Sequence, residues 1–167
     1  FLRAEAALVW EGFGSADSWY KQGIDMSFQE NGVTDPVDDY MNSNLAPRAY
    51  VFSHYQYGQT LSAPCETTVK FEGTTEQKLE KIMIQKWIAL FPDGQEGWNE
   101  IRRTGYPCVF PVAQSTNGYD LDVPNRIPFD PREMNGNNQE NYRKAVEMLG
   151  GKDDYAARMW WQNGGNK

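Results

Sequence analysis

The stretch from Ile82 to Pro107 reads IMIQKWIALFPDGQEGWNEIRRTGYP and spells out a helix, a turn and a second helix. The first helix is expected to start upstream, at TTEQ, where Thr74 is the N-cap and Gln77 reaches back to complete a capping box. From there Leu79, Ile82, Met83, Trp87, Leu90 and Phe91 recur at three- and four-residue steps, the period of an apolar stripe facing a core. Gln77, Lys78, Glu80, Lys81, Gln85 and Lys86 fill the opposite, wet side. Pro92-Asp93-Gly94 stops the helix, because proline cannot extend it and glycine accepts the left-handed backbone of a turn. The second helix runs from about Gln95 to Arg103, with Glu96 near the positive end of its dipole and Arg102 and Arg103 near the negative end. Thr104-Gly105 ends it, and Tyr106-Pro107 leads into an extended run from Cys108 to Val112. Trp87, Trp98, Arg102 and Arg103 are read as parts that build this unit, since Trp at helical spacing usually packs and Arg at a helix C-terminus usually binds carbonyls.

Toward the N-terminus the pattern is again helical. Phe1 to about Trp10 forms one helix, with Leu2, Ala6, Val9 and Trp10 along one side. Gly12-Phe13-Gly14 is a turn, and Ser15 or Asp17 caps a second helix to about Asn31 on the stripe Tyr20, Ile24 and Phe28. Asp35 is expected to cap a short helix with Pro36 in its first turn and Val37, Tyr40 and Met41 inward. From Asn42 to Gly73 the period fails, and Tyr50, Phe52, Tyr55 and Tyr57 alternate loosely among Ser, Gln and Gly. Residues 113–129 form a long connection. Asn137 or Asn138 caps a last helix with Tyr142, Ala145, Val146 and Leu149 on its buried side, and a short segment starts at Asp153-Asp154 and runs to Trp161. The fold class expected is mainly α with long loops.

Composition narrows the function. The 167 residues carry a formal net charge of -7, and their 16 Lys and Arg form no long basic run, so no nucleic-acid partner is expected. Aromatic residues reach 14%, with six Trp and nine Tyr, a supply suited either to a core or to stacking on sugar faces. No apolar run approaches the roughly 20 residues that span a bilayer. Two cysteines, Cys65 and Cys108, are compatible with one disulfide or two thiols; neither sits in a metal-type spacing, and buried free thiols are the expectation. Because Phe1 to Leu8 is already strong helix former without a cap, the chain reads as a fragment of a larger protein.

Residues QKWIALFPDGQEGWNEIRRTGYP closely resemble the C-terminal signature of the SusD/RagB family of surface glycan-binding lipoproteins. Pro124-Asn125-Arg126-Ile127-Pro128-Phe129 resembles the family's Pro-x-Arg-hydrophobic segment, Asp130-Pro131-Arg132-Glu133 its capped turn, and Trp160-Trp161 its closing pair. The front, FLRAEAALVWEGFGSADSWYKQGIDMSFQENGV, is similar to its last tetratricopeptide-like hairpin. The resemblance implies a SusD-like C-terminal fragment with a tetratricopeptide-like hairpin over residues 1–33 and an irregular helix-and-loop region over 34–167. It also implies a non-catalytic cell-surface lipoprotein of the outer membrane, anchored by a lipid outside this fragment. Such a protein binds oligosaccharide and delivers it to a TonB-dependent, SusC-like transporter; some members are specialised for peptides.

Catalytic chemistry finds little support. A glycoside hydrolase requires two carboxylates at a set separation, and Glu96, Glu100, Asp120, Asp122, Glu133 and Glu140 are candidates, yet no motif singles one out and each reads as solvated acid. His54 is the sole histidine, and Ser53 beside it points to the opposite face of an extended chain, so no triad is expected. Asp120 and Asp122 offer two of the roughly six to eight oxygens that calcium takes, too few to define a site. No cofactor is expected. The chemistry that remains is a sugar platform of exposed rings flanked by amides: Tyr55 and Tyr57 with Gln56 and Gln59, and Tyr119 with Asn117 and Asp120. An endo-acting glycosidase and a helical scaffold that binds protein or peptide are the alternatives.

Overall fold

The computed structural model describes residues 1–51, 60–110 and 123–162, and its contacts divide them into two compact units. The first comprises residues 1–51, 60–101 and 105–110, and the second residues 102–104 and 123–162. The fold is mainly helical: α1 (Leu2–Val9), α2 (Ala16–Glu30), α3 (Val37–Met41), α4 (Thr75–Ala89), α5 (Gly94–Thr104), α6 (Pro131–Asn135) and α7 (Gln139–Met148), with a closing 3-10 turn at Trp160–Gln162. Two short strands, β1 (Tyr50–Val51) and β2 (Thr60–Leu61), pair antiparallel with Tyr50 opposite Leu61 and Val51 opposite Thr60.

In the first unit α1 packs on α2, and both lie against α4. Local chemistry sets the helix ends. Ser15 Oγ accepts from the Ser18 amide at the start of α2, and Thr74 and Gln77 form the capping box of α4, with bonds of 3.2 and 2.8 Å. Asp93 accepts from the Glu96 amide to cap α5, and Gly105, at φ 83°, closes that helix in the left-handed conformation that costs other residues most. Asp35 does not cap α3: the N-cap position falls on Pro36, which has no side-chain acceptor, and no side-chain cap bond forms.

The core is Ala4, Tyr20, Ile24, Val69, Ile82 and Met83. Tyr20 is fully buried because its hydroxyl donates to Val69 O at 2.8 Å and its ring stacks on Phe71 with centroids 4.6 Å apart. Burial, with a smaller contribution from Tyr40, holds this phenol protonated well above its ordinary range.

Two stripes differ from expectation. On α1 the core takes Ala4 and part of Leu8, while Leu2, Val9 and Trp10 are exposed. On α4 Ile82 and Met83 are buried as expected, but so are Lys81, Gln85 and Lys86, whereas Trp87 is 46% exposed and Phe91, past the end of the helix, 87%. The reason is partnership, which outweighs apolar period. Lys81 Nζ donates to Thr68 O and Oγ1 at 2.8 and 3.2 Å, Gln85 Oε1 accepts from the Tyr40 hydroxyl at 3.2 Å, and Lys86 pairs with Glu100 at 2.8 Å. Each polar group enters the interior with its partner, the condition under which burial of charge is tolerated.

The second unit is held by polar locks. Asp130 caps α6 by accepting from the Arg132 amide, and α7 partly buries Tyr142, Ala145, Val146 and Leu149, as the period predicts. Arg126 and Asp153 form a buried ion pair, and the Asp153 carboxylate also accepts from the Phe129 amide and the Tyr142 hydroxyl.

Candidate functional site

The expected sugar platform residues, Tyr55, Tyr57 and Tyr119, and the acidic pair Asp120 and Asp122, lie outside the described residues, as does His54. The structure does place the roots of their segments. β1 ends at Val51 and β2 begins at Thr60, the described residues on either side of 52–59. In β1 the Tyr50 ring meets Phe110 edge to face, with centroids 6.5 Å apart, and Phe110 is the last described residue before 111–122. Both rings remain accessible, Tyr50 at 53% and Phe110 at 39%. Tyr50 and Phe110 were not singled out from the sequence. The two-residue alternation beginning at Tyr50 is the signal that marks it, because period two is the signature of a strand.

The signature residues act structurally. The Trp87 indole lies so close to Gly97 that a Cβ there would meet its Cδ1 at 3.2 Å, which joins α4 to α5 through a glycine contact. Arg102 lies over the Trp161 ring at 5.1 Å and donates to Asn125 O at 3.2 Å, while Gln162 donates to Arg102 O and Asn125 Oδ1. One arginine therefore organises both the Pro-Asn-Arg segment and the closing Trp pair. Glu100, expected as a solvated acid, is buried against Lys86. Glu133 is half-buried and accepts from Asn138, while Glu140 is exposed and pairs with Lys144 one turn on.

Among the described residues of the first unit, two cavities stand out. One of about 230 Å³ is lined by Tyr20, Tyr40, Leu45, Lys81, Gln85 and Ile88 among others, but the Tyr and Gln polar groups already serve Val69 and each other. Burial lowers the Lys81 ammonium below its ordinary range against the opposing pull of Glu72 and Glu80, and that ammonium is already bound to Thr68. A second, of about 440 Å³, has the apolar walls Phe1, Leu2, Trp19, Met26 and Leu90. Neither is lined by Asp or Glu. Among the described residues no group of three or more His, Cys, Asp or Glu is placed to hold a metal ion, and no helix is long and apolar enough to cross a membrane. In this structure the two cysteines are not bonded; Cys65 is partly buried and Cys108 exposed, so the expectation of burial fails for Cys108.

This helical architecture is that of the solved SusD homologues. A SusD homologue from Bacteroides ovatus superposes with a TM-score of 0.87 at 36% identity, over 96% of this chain and 35% of that one. One from Bacteroides vulgatus gives 0.85 at 36% identity, over 99% and 34%. A chitin-binding SusD homologue from Flavobacterium johnsoniae gives 0.82 at 38% identity, over 96% and 34%. The chain thus spans about a third of the length of these structures. Residues 1–162 match the model of the SusD-like family, described as the SusD and RagB outer membrane lipoproteins, and the chain belongs to that family. No curated protein sequence matches it.

Proposed function

We propose that the protein of which this chain forms part captures oligosaccharide at the bacterial cell surface, without turning it over, and delivers it to a TonB-dependent, SusC-like transporter in the outer membrane. Membership of a family of outer-membrane lipoproteins supports the setting, and the chitin-binding homologue supports a glycan as ligand class. Residues 1–33 and 34–167 are assigned to one SusD-like domain. The ligand platform is assigned to Tyr55, Tyr57 and Tyr119, whose rings suit stacking on a sugar face.

The observation that carries this assignment is the Tyr50–Phe110 contact, which brings together the roots of both tyrosine-bearing segments and leaves two further rings accessible beside them. A hydrolytic role is disfavoured for Glu100, which is buried and committed to Lys86. The test is a glycan array on the full-length protein, chitin oligosaccharides included, with product analysis after long incubation. Retention of a glycan without product is expected. Product formation instead identifies an endo-acting glycosidase, and retention of peptides alone identifies a protein-binding scaffold.

A further inference from the structure

We propose that Cys65 and Cys108 are joined by a disulfide in the exported protein, which ties the segment ahead of α4 to the segment behind α5. Two hydrogen bonds to α4 set the geometry. The Thr67 hydroxyl donates to Glu80 Oε2 at 2.7 Å, and the Tyr106 hydroxyl donates to Glu76 Oε1 at 2.8 Å. Glu76 and Glu80 are four residues apart and stand one above the other on a single helix face. Thr67 lies two residues beyond Cys65, and Tyr106 lies two residues before Cys108, so both cysteine-bearing segments cross that face. Glu80 is the shared neighbour: its charge acts on both thiols, and the Cys108 sulfur acts on Cys65. No third metal-binding side chain completes a metal site among the described residues, so two thiols over one carboxylate form a redox pair and not part of a metal centre.

The compartment favours the bond, because an outer-membrane lipoprotein passes through the oxidising cell envelope. Burial, reinforced by Glu80, raises both thiols above their ordinary range, although a backbone hydrogen bond opposes the shift at each. Thiolate is therefore scarce, and the electron acceptor is assigned to a protein disulfide acting by exchange. The exposed Cys108 loses its proton and attacks a sulfur of the oxidant to give a mixed disulfide. Cys65 then loses its proton and attacks the Cys108 sulfur, expelling the oxidant's thiolate. In sum two S–H bonds break and one S–S bond forms, and the oxidant takes up two electrons and two protons as its disulfide becomes two thiols.

The test uses the full-length protein exported to the cell envelope, quenched in acid, alkylated and cleaved by trypsin without reduction. Residues 49–70 and 104–126 each carry one of the two cysteines and lie between tryptic sites. The expected product is these two peptides cross-linked, lighter by two hydrogens than their sum and separated by reductant. Recovery of both as separate alkylated peptides overturns the proposal, as does finding either linked to another cysteine. In Cys65→Ser the 104–126 peptide must take the alkyl label; if Cys108 stays blocked there, its partner is not Cys65 and the proposal fails.

Discussion

At the scale of single residues, Lys86 and Glu100 are the most consequential pair. They meet at 2.8 Å with side chains only 9% and 9% exposed, so removing one leaves the other charged and desolvated. Glu100→Ala is expected to cost about 3–5 kcal/mol, whereas the double change Lys86→Met with Glu100→Leu should lie much closer to wild type. Chemical denaturation of the full-length protein and its variants measures both. Tyr106 offers a second test. Its hydrogen bond to Glu76, followed by burial and the Glu76 charge, pushes its pKa from the ordinary 10.0 up to about 12. A raised folded-state value means that the contact stabilises fully below pH 10 and is lost as pH rises toward 12. The difference between ultraviolet titrations of wild type and Tyr106→Phe should be one phenol ionising with a midpoint near 12, and the variant should also lose less stability between those two limits than wild type does.

At the scale of elements, the start of α4 rests on a three-part device. Thr74→Ala removes the side-chain acceptor and should cost about 1 kcal/mol. Gly73→Ala should cost more, because the backbone there has φ 105° and a Cβ would sit 2.3 Å from Gln77 Oε1, so it strains the chain and displaces the partner of the capping box together. Thermal melts of the two variants, singly and combined, check the order and a total smaller than the sum, since both act on one cap. This cap was legible from four letters because its partners are three residues apart. The buried face of α4 was not. Lys81, Gln85 and Lys86 are carried inside by Thr68, Tyr40 and Glu100, partners 13, 45 and 14 positions away, and no local period encodes such distances. The same holds for Arg102, whose place over the Trp161 ring depends on a residue far along the chain.

At the scale of the whole molecule, the particular order of caps, Trp and Arg in residues 74–107 was enough to identify the family, and the family match over residues 1–162 agrees. The candidate site was far less legible, since Tyr55, Tyr57 and Tyr119 lie in connections without apolar period, where ring identity suggests stacking but nothing local fixes orientation. The central claim is non-catalytic glycan capture on those rings. Titration calorimetry of the full-length protein with an oligosaccharide retained on the array, set against the Tyr55→Ala, Tyr57→Ala, Tyr119→Ala triple variant, tests it most directly. Wild type should bind saturably, and the variant with an affinity at least about tenfold weaker, equivalent to ~1.4 kcal/mol. Equal affinity in the two proteins would contradict that claim.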